Sequence, residues 1–159
     1  MDFAILAPVP REHLESALGV LTSEPYVAFG SQKWELFREI ETLRGTENVP
    51  VLIYPSHEDN VVKLTYEVSW TAWYVGYSEN SIEKMADQNE GRRPPTTEKY
   101  YSKGDHADDW AVLWRVTNLQ QLPTSQVVPI RKLDSYKTKY WRKNAPPRGP
   151  EIIGRPSWL

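Results

Sequence analysis

Cysteine is absent from the 159 residues. That removes disulfides, thiol catalysis and cysteine-ligated zinc together, and it fits a reducing compartment. Histidine is scarce: His13, His57 and His106 have no mutual spacing that would bring two imidazoles to one metal. His57-Glu58-Asp59 and His106-Ala107-Asp108-Asp109 read as polar turns, so no metal is expected. The chain also lacks a phosphate-cradling P-loop, a dinucleotide glycine fingerprint and an HExxH stretch, so no cofactor is expected and catalysis has no signature. A Lys33/Glu35 pair near Gly30 would suit hydrolysis, but solvated charges on a helix surface explain it more simply. No apolar run reaches the length of a membrane span, and Met-Asp-Phe-Ala-Ile-Leu-Ala-Pro has no basic region before its short apolar stretch. The expectation is a cytoplasmic protein with no membrane partner, read as a binder rather than an enzyme.

Aromatics and proline are plentiful instead: seven Trp, nine Tyr and thirteen Pro against eight Gly. The net charge of −2 hides an asymmetry. Residues 1–130 carry 11 Lys+Arg against 19 Asp+Glu, whereas residues 131–159 carry 8 against 2. A basic segment on an acidic body attracts phosphate locally whatever the global charge.

The most informative stretch is Val61 to Tyr77. Val62, Leu64, Tyr66, Val68 and Trp70 alternate with Val61, Lys63, Thr65, Glu67 and Ser69, which is the period of a half-buried strand. The pattern breaks at Trp70-Thr71-Ala72-Trp73-Tyr74, where the strand is expected to deliver rings into a loop. Earlier in the chain, Phe3 to Pro8 reads as a strand. A helix started by Pro10 follows, with Leu14, Ala17, Leu18 and Leu21 on one stripe. A strand from Tyr26 to Phe29 ends at Gly30. Ser31 then caps a helix bearing Trp34, Phe37, Ile40 and Leu43, which Gly45 stops.

Val49 to Tyr54 reads as a buried strand that turns through residues 55–60 into the alternating stretch as a hairpin. Residues 78–106 are a polar excursion in which Asn80 and Glu83 have capping-box spacing. Trp110 to Thr117 alternates again, and Val127 to Leu133 is a strand broken by Pro129. A basic, aromatic and Pro-rich segment covers 136–159. The whole reads as one domain, residues 1–159, of mixed strands and short helices, favouring a small β-barrel over a doubly wound sheet.

Bases stack on indole and phenol faces, so Trp70, Trp73, Trp110 and Trp114 are candidates for a base pocket. Trp70 and Trp114 continue apolar faces and suit the core. Trp73, at the break, suits a ligand contact.

The order VAFGSQK, VPVLIYP, VVKLTYEVSWTAWY, WAVLWRVTNLQQLP and VVPIRKL resembles the EVE domain of the PUA-like superfamily and its relative, the YTH domain. The resemblance implies an α+β fold, a PUA-like mixed β-barrel flanked by short helices, and RNA or DNA binding with a modified cytosine or adenine held in an aromatic cage. It implies base contacts at Phe29, Gly30, Ser31, Trp70 and Trp73, to which the aromatic inventory adds Trp110, and phosphate contacts at Lys33, Arg115, Lys137, Lys139, Arg142 and Lys143. Phe29 stands where the YTH relatives commonly carry Trp, and the excursion departs from the family pattern. Two alternatives stay open. Gly30, Lys33, Glu35 and Arg38 loosely echo the motif of ASCH domains, some of which resemble hydrolases of modified nucleosides. A Pro-rich protein-interaction module would need no pocket.

Overall fold

The computed structural model describes residues 1–56, 66–82, 84–99, 107–137 and 146–159. The architecture is α+β. Strand β1 (Phe3–Val9) is buried along nearly its whole length and ends at Pro10, which opens helix α1 (Arg11–Val20). Leu14, Ala17 and Val20 pack inward from α1, whereas Leu18 is exposed. Strand β2 (Val27–Ser31) leads to helix α2 (Trp34–Arg44), which buries Phe37 and Ile40 and stops at Gly45 with φ 61°. Ser31 does not cap α2. That position is Lys33, whose N–H donates to Ser31 Oγ at 3.1 Å. Strand β3 (Val49–Pro55) is buried at every position. The two-residue β4 (Glu67–Val68) and the long β5 (Trp70–Glu79) follow.

The excursion carries two short helices, α3 (Met85–Gln88) and α4 (Pro95–Lys99). Strand β6 (Val112–Gln121) precedes β7 (Val128–Pro129), where the expected strand shrinks to two residues because a 3-10 turn over Ile130–Lys132 follows Pro129. Strand β8 (Glu151–Gly154), which the sequence reading missed, pairs antiparallel with β1.

Six strands form one sheet in the order β2-β6-β5-β3-β1-β8, antiparallel except for the β1–β3 pair. The expected barrel is corrected here: the sheet is not closed. A barrel needs its two edge strands paired, but β2 and β8 stand unpaired at opposite ends of the sheet, and a side chain reaches across. Lys33 Nζ, just past β2, donates to Glu151 Oε1 at 2.6 Å and to Pro150 O at 3.0 Å. Strands β4 and β7 form a separate two-stranded ribbon over one face.

The break at Trp70–Tyr74 is also corrected, because no loop begins there. β5 runs on through Trp70 to Glu79, with Trp70 opposite Ile53 and Trp73 opposite Pro50 and Thr117. Aromatic and β-branched residues favour strand, and the alternation persists with Trp70, Ala72 and Tyr74 inside. The small Ala72 hid the continuing phase. Irregular pairing at Tyr74/Gly76, with Gly76 at φ 142°, then flips the phase. Tyr77 thereby stacks on Phe37 at 5.9 Å, while Ser78 turns to the opposite face and accepts from Asn89 Nδ2. Residues 57–65, which include the hairpin turn, His57 and Val61 to Thr65, lie outside the described residues, as do Glu83 and His106.

The main core lies between the sheet and the two long helices, where Phe37, Tyr74, Trp70 and Trp114 meet. The opposite face is covered in two places. The β4–β7 ribbon and Ile130 lie over β1, β3 and β8, and Met85 of α3 lies over Ala28 and Leu113. No helix among the described residues is long and apolar enough to cross a membrane.

Two buried phenols give this core a pH signature. Tyr74 donates to Glu41 Oε2 at 2.9 Å, and burial reinforced by that carboxylate pushes its pKa far up. Burial likewise raises Tyr54, with Tyr66 and Glu151 adding to the shift. The unfolded chain ionises tyrosine at about pH 10 while the folded chain holds both phenols neutral, so their contribution is complete below that pH and lost above it. The urea midpoint is expected to fall between pH 9 and 11. Tyr74→Phe should cost about 1 kcal/mol at pH 7 for the lost hydrogen bond and show a shallower alkaline fall. An equal fall in both proteins would remove Tyr74 from the linkage.

Candidate functional site

A cleft of about 720 Å³ opens where the two edges of the sheet approach one another. Its walls come from the end of β1, from β2, from the end of β3, and from the Pro146–Pro150 segment ahead of β8. Lys33 bridges β2 to that segment, so the feature that falls short of closing the barrel also frames the opening.

The defining contact is between Gly30 and Trp110. A Cβ on Gly30 would lie 2.5 Å from three atoms of the Trp110 indole, so the ring rests directly against the glycine backbone. Gln32 holds it there, donating from Nε2 to Asp109 O at 2.8 Å and accepting the Ala111 N–H at 2.9 Å through Oε1. Trp110 does not continue the Val112-Trp114-Val116 face as its spacing suggested. β6 starts two residues later, and the indole packs instead with Ala28 and Leu113.

Phe29 and Trp114 form an aromatic pair, ring centroids 5.1 Å apart and tilted by 50°. Tyr54 and Tyr66 form a second, edge to face at 6.4 Å. Tyr54 is fixed by donating to Pro147 O at 2.5 Å. Tyr66, at φ 50°, is anchored by accepting Ile130 N–H on its carbonyl. The indole N–H groups of Trp110 and Trp114 are both buried and have no hydrogen-bond partner among the described residues.

The polar lining is selective. Ser31 Oγ, already accepting from Lys33 N–H, keeps its own proton to donate. His13 Nδ1 is engaged with Thr96 Oγ1 at 2.6 Å. Lys33, Arg93 and Arg148 line the cleft, whereas no carboxylate does among the described residues. β2 also presents a backbone edge. Ala28 N–H donates outward to Arg92 O, and Ala28 O accepts from Arg93, so alternation along the strand turns the Gly30 N–H and C=O to the same outward side.

Four of the six base contacts expected from sequence, Phe29, Gly30, Ser31 and Trp110, come together in this cleft. Trp70 does not; it is 2% exposed in the main core, because it faces α1 and α2 from the sheet interior. Trp73 is half-buried in mid-strand and is not part of the cleft lining.

Of the expected phosphate contacts, Lys33 lies at the cleft, but its ammonium is bound to Glu151. Arg115 lies beside Tyr26, outside the cleft lining, and Lys137 sits near Asp2 at 3.8 Å. Lys139, Arg142 and Lys143 lie outside the described residues. Sequence reading missed Tyr54, Tyr66 and the cleft role of Trp114. The usable signal was that Tyr54 ends an apolar strand just before a turn, where a ring can serve both core and surface.

No protein-family model, curated protein or solved structure matches this chain.

The Gly30–Trp110 contact predicts a specific coupling. Gly30→Ala must push the indole off the strand and should cost about 1–3 kcal/mol as overpacking, with a shift in tryptophan emission. In a Trp110→Ala background the same change should cost less than about 0.5 kcal/mol. Equal costs in the two backgrounds, by urea unfolding, would refute the contact.

Proposed function

We propose that the cleft binds one unpaired or flipped base of a nucleic acid, and that it favours a base carrying a modification such as a methyl group. The observation that carries this reading is the Trp110 indole seated on Gly30 on one face of the edge strand, with Phe29 and Trp114 lining the same cleft from the other face and a Gly30 peptide that offers a donor and an acceptor in line. Aromatic walls bind flat rings, and a small number of placed polar groups read the ring's edge. Ser31 supplies a further donor in the same region.

Charge separates this from other uses of an aromatic pocket. A cage for a quaternary ammonium or other cation gains from nearby carboxylates, whereas this lining has Lys33, Arg93 and Arg148 and no described acid. The same lining gives less support to hydrolysis of a modified nucleoside, since no carboxylate among the described residues lines the cleft to activate water. The pattern shared with EVE and YTH domains is consistent with base reading in this part of the fold.

The test is tryptophan fluorescence with short single-stranded oligonucleotides, matched with and without methylated cytosine or adenine. Binding should quench emission. Burying one methyl is worth about 0.8 kcal/mol, so the modified member should bind roughly fourfold tighter from burial alone. Trp110→Ala should weaken binding by about 1–3 kcal/mol. A Trp110→Ala protein that binds as well as the wild type would contradict the reading.

A further inference from the structure

An edge strand of an antiparallel pair turns both the N–H and the C=O of alternate residues away from its neighbour. In β2 those outward residues are Ala28 and Gly30. The Ala28 N–H donates to Arg92 O at 2.8 Å, and Ala28 O accepts from Arg93 at 3.2 Å. On the other side the strand ends at Ser31 and the chain turns toward α2. There the Lys33 N–H bonds to Ser31 Oγ, and Gln32 O accepts the Trp34 N–H at 3.0 Å. Gly30 stands between these two stops. Its N–H and C=O have no partner among the described residues, and the residue lines the cleft.

The open edge is therefore one residue long, and that length discriminates between occupants. A peptide that adds a strand needs open groups on every second residue, whereas Ala28 is engaged and the strand has ended beyond Ser31. A planar base needs only one donor beside one acceptor. A side-chain amide of Asn or Gln reads adenine in this way, its oxygen and NH₂ meeting an amino group and a ring nitrogen. The N–H and C=O of a single extended residue form a similar fork. Trp110 flanks it on one face of the strand, and Phe29 and Trp114 line the cleft from the other.

We infer that the Gly30 peptide pairs with the polar edge of the bound base, its N–H donating to a ring nitrogen and its C=O accepting from the neighbouring amino group. This rests on the base-reading proposal and adds which modifications the cleft admits. A methyl on C5 of cytosine lies off the paired edge, so both bonds survive and the extra apolar area is buried. Replacing both amino hydrogens by methyls removes the donor and leaves the Gly30 carbonyl covered without a partner. The cleft thus selects for where a modification sits. A purely apolar cage would rank the bases the other way, because two methyls bury more area than one.

The experiment titrates the full chain with single-stranded oligonucleotides carrying one central cytosine, 5-methylcytosine, N4,N4-dimethylcytosine, adenine or N6,N6-dimethyladenine. Tryptophan quenching reports affinity, and amide spectra of isotope-labelled protein report Gly30 itself. Each dimethylamino base should bind about five- to a hundredfold more weakly than its parent despite its larger apolar surface. The 5-methylcytosine oligonucleotide should bind more tightly than its cytosine parent. The Gly30 amide proton should move downfield with the bound parent base. Dimethylamino bases that bind as tightly as their parents, with the Gly30 amide unmoved and binding lost in Trp110→Ala, would overturn the edge pairing and leave the cleft reading standing. A Trp110→Ala protein that binds every oligonucleotide as the wild type does would overturn the cleft reading, and the pairing with it. Wild-type protein that binds no oligonucleotide at low salt overturns both.

Discussion

A single steric condition governs the geometry of the cleft: the residue at position 30 has no Cβ. The Trp110 indole occupies the space that any side chain would fill, within 2.5 Å of where a Cβ would stand. That contact fixes the segment leading into β6, and Gln32 secures it with hydrogen bonds to Asp109 and Ala111. Both arms of the clamp come from β2 and the residue after it, so a short edge strand sets the position of an aromatic wall contributed from about 80 residues further along the chain. The same strand edge points the Gly30 peptide outward beside the ring.

The second constraint is the unclosed sheet. Had β2 and β8 paired through their backbones, the cleft would have been filled by a ladder. Instead Lys33 and Glu151 span the gap as an ion pair, each about a third exposed. Such a pair is worth little to stability, and its value is geometric. It sets the separation of the walls and positions the Pro146–Pro150 segment, to which Tyr54 also bonds. The lysine thus acts as a strut more than as a free phosphate ligand.

Much of the fold was legible in the sequence because local patterns carried it. Strand alternation, the Pro10 helix start and the Gly45 helix stop all describe elements that formed where residue chemistry required. What remained hidden was long-range. Whether β2 and β8 would pair depends on a lysine and a glutamate separated by well over a hundred residues. The phase of β5 was obscured because Ala72 and Gly76 are small residues in buried positions. Trp70 and Trp73 drew attention as a cluster, but residues adjacent along a strand point to opposite faces or into mid-sheet, so their density said nothing about a shared pocket. Phe29, Gly30, Ser31 and Trp110, all expected as base contacts, line one cleft. Tyr54 and Tyr66 were not expected there, since their convergence depends on the turn of β3 and the backbone of residue 66.

The proposed base site lies in the cleft beside Trp110, along the outward edge of the Gly30 peptide. The most direct measurement is photo-crosslinking of an oligonucleotide carrying one photoreactive base analogue, followed by mass-spectrometric mapping of the attached peptide. The account predicts adducts on Phe29 to Ser31, on Trp110, or on Tyr54 and Tyr66, competed away by unlabelled oligonucleotide. Adducts confined to Trp73 or to the exposed face of α2 near Trp34 would contradict it.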